Sequence, residues 1–185
     1  EGRLNLGEKA IIATTTASTT ALTAGERDGI LFIREEERMA EDLYLELYNI
    51  VKLSIFLSVA DSEQIHMDSV AILMDRYGLE DPVRDGDGVY ANETLQKMYD
   101  DLLASGEKSP EDALKAAALV EETSVHDLEV QIINTEKPDI RSVYGGLLMG
   151  SEKHLRSFAR ALEELGVEYS PQLLSREEYD KIVKA

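Results

Sequence analysis

Glu37, Glu63, His66, Glu121 and His154 are the residues of this chain whose types and settings can do chemistry. Glu63 and His66 stand three apart in the run from Ile55 to Val70, and on a helix such a pair points to one side. Val59, Val70 and Met74 fall on that same side. A carboxylate left unpartnered on such a buried stripe is costly, so the pair needs an explanation. Metal ligation is one, and a core histidine hydrogen-bonded to its neighbouring Glu is the other. Alone, Glu-x-x-His favours the second. The balance turns on whether other helices bring matching ligands, and three of them do. Glu37 interrupts the stripe Ile33, Ala40, Tyr44, Leu47, Val51. Glu121 interrupts Leu114, Ala118, Val125, Leu128, Ile132, and His154 falls among Leu147, Ser151, Phe158 and Leu162.

Composition narrows the chemistry. The 185 residues suit a single domain with a real core. A net charge of −18 argues against nucleic acid or an anionic membrane as partner. With no cysteine, thiolate zinc sites, iron–sulfur clusters, disulfides and thiol catalysis are excluded. Any metal is then held by carboxylate and imidazole, which suits iron, manganese or zinc. No apolar run reaches the roughly 20 residues of a membrane span. The chain begins at Glu1 with no intact signal peptide, and residues 1–23, rich in Thr, Ala and Ser, read as a flexible arm. The compartment stays open, cytoplasmic or extracytoplasmic after removal of an upstream segment.

The elements that must position these residues are helices, because no strand pattern occurs. Helical periodicity runs from Ala24 to about Leu53, then from about Ser54 or Phe56 to Tyr77, closed by Gly78. In the first helix Glu37 falls on the inward stripe, and its neighbours Glu35 and Glu36 need not. A turn-rich stretch follows, in which Asp85-Gly86-Asp87-Gly88 faintly resembles a calcium loop without that motif's spacing or closing Glu. Asn92 caps a short helix ending at Ser105-Gly106. Ser109-Pro110-Glu111-Asp112 opens a third long helix reaching about Asn134. A fourth spans about Ile140 to Leu165, and Ser175-Arg176-Glu177-Glu178 is a capping box for a short tail helix. Short turns make helices one and two, and three and four, antiparallel neighbours. The long second connection lets helix three run parallel to helix two, the ferritin-like topology. The fold expected is therefore an all-α ferritin-like four-helix bundle over 24–185.

Bundles that carry two carboxylate-bridged metals take a Glu from each of two helices and Glu-x-x-His from each of the other two. This chain offers Glu37, Glu63 with His66, Glu121, and His154, in that order. At the third position Glu121 fits the stripe best. Glu122, about 100° around the helix, pairs with His126 at i+4 as the alternative ligand set. Otherwise His126 reads as a surface histidine. Tyr44, Tyr48 and Tyr144 read as core packing with satisfied hydroxyls.

The run Arg34-Glu35-Glu36-Glu37-Arg38-Met39-Ala40-Glu41-Asp42-Leu43-Tyr44 resembles the first helix of rubrerythrin-type proteins. With Ser62-Glu63-Gln64-Ile65-His66-Met67 and Gly150-Ser151-Glu152-Lys153-His154-Leu155-Arg156-Ser157-Phe158, the chain from Ala24 onward is similar to a prokaryotic domain-of-unknown-function family within the ferritin-like superfamily. The resemblance implies the fold, with no settled activity. One departure matters: rubrerythrin-like sites carry Glu-x-x-His on helix four, and here Ser151 stands at the Glu position. The further carboxylate that rubrerythrins place on helix three corresponds to Ser124. The function expected is a carboxylate/histidine iron site of one or two ions, with manganese or zinc as substitutes, reacting with dioxygen or peroxide and served by a separate electron donor. The alternatives are a non-enzymatic metal-binding protein and a structural or interaction bundle. A homodimer is the expected assembly.

Overall fold

The computed structural model describes residues 21–185, and among them every regular element is a helix. The expected Thr-rich arm lies outside the described residues except for positions 21–23. Those three lead into α1 (Ala24–Val51), where Thr23 and Glu26 form a reciprocal capping box. Lys52, in the left-handed region at φ 58°, stops α1, and a three-residue link leads to α2 (Ile55–Tyr77). Gly78 at φ 63° ends α2, and the Leu79 amide returns to the Met74 carbonyl at 2.9 Å.

After the long connection come α3 (Glu93–Gly106), capped by Asn92, and α4 (Pro110–Ile133), capped by Ser109. The next helix, α5 (Pro138–Glu164), begins two residues before Ile140. Proline needs no amide partner in a first turn, so Pro138 starts the helix rather than separating it from α4. Finally α6 (Arg176–Val183) packs against α5.

The long helices form a ring in which α1 touches α2 and α4, and α5 touches α2 and α4. Residue pairings fix their directions. Glu37 meets His66 while Tyr44 meets Phe56, so α1 and α2 are antiparallel. Glu26 meets Thr135 while Tyr44 meets Glu121, so α1 and α4 are antiparallel too. Helices α2 and α4 therefore run parallel, as the long connection requires. That connection is tied to α1 by carboxylates: Glu35 accepts the Ala91 and Asn92 amides, and Asp42 accepts the Gly88 amide and Tyr90 hydroxyl. Asp87, in the loop with the faint calcium pattern, pairs with Arg38.

Two apolar clusters fill the ring. One centres on Tyr44, Phe56 and Phe158, with ring centroids 5.4–6.3 Å apart. The other gathers Ile30, Ile33, Val70, Leu73, Leu128, Ile140, Tyr144 and Leu147. In each long helix the residues between the two clusters include buried polar ones, and these form a layer across the middle.

Candidate metal centre

That layer brings together Glu37 from α1, Glu63 and His66 from α2, Glu121 from α4 and His154 from α5, all buried. They sort into two groups, Glu37–Glu63–His66 and Glu63–Glu121–His154, in each of which one donor atom per residue lies within 4.8 Å of the others. Glu63 belongs to both. Its Oε2 is 2.7 Å from His66 Nδ1 and its Oε1 is 2.8 Å from His154 Nδ1. The flanking carboxylates each approach one imidazole: Glu37 Oε2 is 3.1 Å from His66 Nδ1, and Glu121 Oε1 is 3.5 Å from His154 Nδ1. The two imidazole rings stack with centroids 5.5 Å apart.

Close approach is not the same as pairing here. Both Glu63 oxygens, Glu37 Oε1 and His154 Nδ1 are buried without an aligned hydrogen bond, although Glu63 and His154 nearly touch. An orphaned buried acceptor costs about 1–3 kcal/mol, and more when charged. Donor atoms that converge without pointing at one another are arranged for a common third atom. A cation at each group would meet carboxylate oxygen and imidazole nitrogen, so the donor set fits a metal.

The surroundings set the imidazoles. His154 Nε2 lies 2.9 Å from Ser62 Oγ; an Nε2–H donating there leaves the Nδ1 lone pair facing Glu63 and Glu121. Gly150 is required by close approach, since a Cβ there would sit 2.3 Å from His66 Nε2. Tyr44 donates its hydroxyl to Glu121 Oε1 at 2.5 Å. Core position was legible for Tyr44, but this role depends on which rotamer the Phe56–Phe158 contact selects.

Without a cation the cluster holds protons. Burial pushes Glu37 up to about 8 and Glu121 up to about 7. Burial also raises the cost of charging Glu63, but the His154 and His66 imidazoles against its two oxygens outweigh it and hold Glu63 well below the usual carboxylate range. Burial alone would lower His154; the Glu121 charge beside it overrides that and lifts it to about 10. His66 is raised in the same way by Glu37. Burial thus favours the protonated carboxyl at Glu37 and Glu121, while the imidazoles on either side favour the carboxylate at Glu63.

Residues 26–185 match the family described as an uncharacterized protein domain, DUF2202. The chain belongs to this family. It is 44% identical over 161 residues to the uncharacterized protein MJ0754 of Methanocaldococcus jannaschii, an alignment covering 86% of this chain and 87% of that protein. It also resembles the crystal structure of hypothetical protein MJ0754 from Methanococcus jannaschii, with a TM-score of 0.89 and 41% identity over 92% of this chain and 98% of that one. Neither description states an activity, so the function of this DUF2202 chain has to be argued from its site.

Alternatives that the sequence left open are resolved at this level. Glu122 is not at the centre: it accepts the Tyr169 hydroxyl and the amides of Gln172, Leu173 and Leu174. His126 is exposed and takes no part. Glu35 and Glu36 are buried along with Glu37, because α3 and α4 cover the α1 faces that would otherwise meet solvent. Burial, with Asp127 beside it, drives the Glu36 carboxyl well above its usual range. Ser151 is buried and donates to the Leu147 carbonyl at 3.3 Å, so it adds no aligned donor to either group.

Proposed function

We propose that the four long helices are a ferritin-like bundle whose polar layer binds two metal ions, iron foremost, in an oxidoreductase acting on dioxygen or peroxide. The observation that carries this reading is the convergence of buried, unaligned donors in two groups sharing Glu63. Bound there, the ions would supply Lewis acidity and electrons for reducing a small oxidant. Glu37 and His66 would hold one ion and Glu121 and His154 the other, with Glu63 shared between the two groups. Tyr44 orients Glu121 and places a phenolic proton at the edge of the centre. The two apolar clusters cover the layer on its two sides along the bundle. Ser151 leaves room where a second bridging carboxylate would stand. The chain has no cysteine, so electron delivery falls to a separate donor.

Five donors where six are expected favour a second reading, a non-enzymatic protein holding one ion. Elemental analysis of protein purified without chelators, followed by anaerobic iron loading, separates the two. Two ions per chain, lost in Glu37→Ala, His66→Ala and His154→Ala, with oxygen or peroxide consumed by the reduced protein, is the expected outcome. One ion without consumption selects the second reading. No retained metal in the loaded protein sinks both and leaves a polar-cored structural bundle.

A further inference from the structure

Between α2 and α5 lies a cavity of about 310 Å³ whose inner wall includes the imidazoles of His66 and His154. Ile65, Ile72 and Leu73 line it from α2, and Val143, Leu147 and Met149 from α5. Most of its polar groups are already engaged. Ser62 meets His154, Ser69 donates to the Ile65 carbonyl, and Asp139 accepts from Arg76 and Tyr77. Lys153 is exposed. Walls of this kind, with imidazoles, Arg76 and Lys153 as their cationic groups, give a hydrated cation nothing to exchange for its water.

Gly146 points the same way. Glycine weakens a helix interior, and this one has neither a positive φ nor a neighbour that demands it: a Cβ there meets nothing within 4 Å. Gly150, one turn on, is explained by His66; Gly146 is explained by the open space it lines. Gly145 is equally unobstructed but lies outside the cavity wall.

We infer that this cavity is the binding site for an uncharged, largely apolar organic molecule, placed against the imidazole edge of the metal centre. An apolar cavity of roughly 150 Å³ holds benzene, so this one suits a bicyclic aromatic or a chain of about eight to ten carbons. The inference names the substrate class of the proposed centre and rests on that reading for its catalytic meaning. Binding itself needs no metal.

The test uses the metal-free full chain and the fluorescence of 1-naphthol, with 1-naphthylmethylammonium as the charged comparator; the chain has no tryptophan to interfere. Naphthol is expected to bind saturably in the sub-millimolar range, and the ammonium about tenfold or more weaker. Gly146→Leu should fill the space, weaken naphthol about tenfold or more, and leave the melting temperature no lower. Gly145→Ala should bind as the parent does. Intermolecular NMR contacts from naphthol to the Met149 and Ile72 methyl groups read the same site without a substitution. Equal binding to Gly146→Leu, equal binding of the ammonium, contacts elsewhere, or no binding would each overturn the inference. So would a dimer closed over Ile65 and Met149 that excludes naphthol, which would assign this face to a second copy. Metal content is measured separately: naphthol bound by a protein that takes up no metal sinks the metal reading alone, and metal without naphthol sinks this one alone.

Discussion

Glu121 and Glu122 are adjacent, of one residue type, and almost equally buried, at 1% and 0% exposure. Their surroundings are opposite. Glu122 meets three backbone amides and a tyrosine hydroxyl, which is how the segment after α5 is clamped to α4. Glu121 meets one hydroxyl, the Glu63 carboxylate and an imidazole. A buried charge whose lone pairs are all matched is architecture, whereas one left short among like charges is held in place for something else. The same contrast separates Asp139 and Asp42, both satisfied, from Glu37 and Glu63. Burial alone would have marked all of them.

The strongest way to break this contrast is to exchange the two roles. Glu122→Ala should destabilise the fold by about 3–5 kcal/mol, since it orphans several buried donors at once, while metal bound per folded chain stays unchanged. Urea unfolding beside elemental analysis reads both. Glu121→Gln should do the reverse, losing metal while the metal-free protein is as stable as the parent or more stable by about 1–2 kcal/mol, because a buried like charge is gone. If Glu121→Gln destabilises as much as Glu122→Ala, the two carboxylates are both structural and the contrast fails.

Acidity sharpens the comparison. Glu37, Glu121 and His154 are raised in the folded metal-free state to about 8, 7 and 10, from ordinary values of 4.5, 4.5 and 6.5. A folded state that keeps protons the unfolded chain has released loses stability as pH rises. Metal-free stability should therefore fall between about pH 5 and 10, with a slope of up to about 1.4 kcal/mol per pH unit for each proton retained. Glu63 has the opposite sign, but its contribution is lost only as pH falls below its ordinary value. Metal displaces these protons, so the loaded protein should show a flatter profile and release protons on loading. Parallel profiles for the two forms would contradict the ligand assignment. The smallest effect belongs to Tyr44→Phe, which keeps the ring packed against Phe56 and Phe158 and removes one donor. Metal affinity should drop by about tenfold with little change in the unfolding midpoint; an unchanged affinity would mean that the Tyr44 hydroxyl serves only Glu121's burial.

Local chemistry carried much of this arrangement into plain view. Asn92, Ser109 and Ser175 cap the helices where their side chains say they should, and Gly78 closes α2, because these signals act within one turn of backbone. Apolar periodicity was enough to put Glu37, Glu63, His66, Glu121 and His154 on inward faces, and the structure brings those five within reach of one another. Periodicity reports which way a residue faces, but not what it meets there. Only the tertiary structure separates Glu121 from Glu122, since the amides that satisfy Glu122 come from some fifty positions later in the chain. It alone buries Glu35 and Glu36 beneath α3 and α4, and it alone places Tyr44 on Glu121. The central pairing of Glu63 and His66 could be read from a spacing of three; that one carboxylate stands between two imidazoles, one of them from ninety-one residues away, could not.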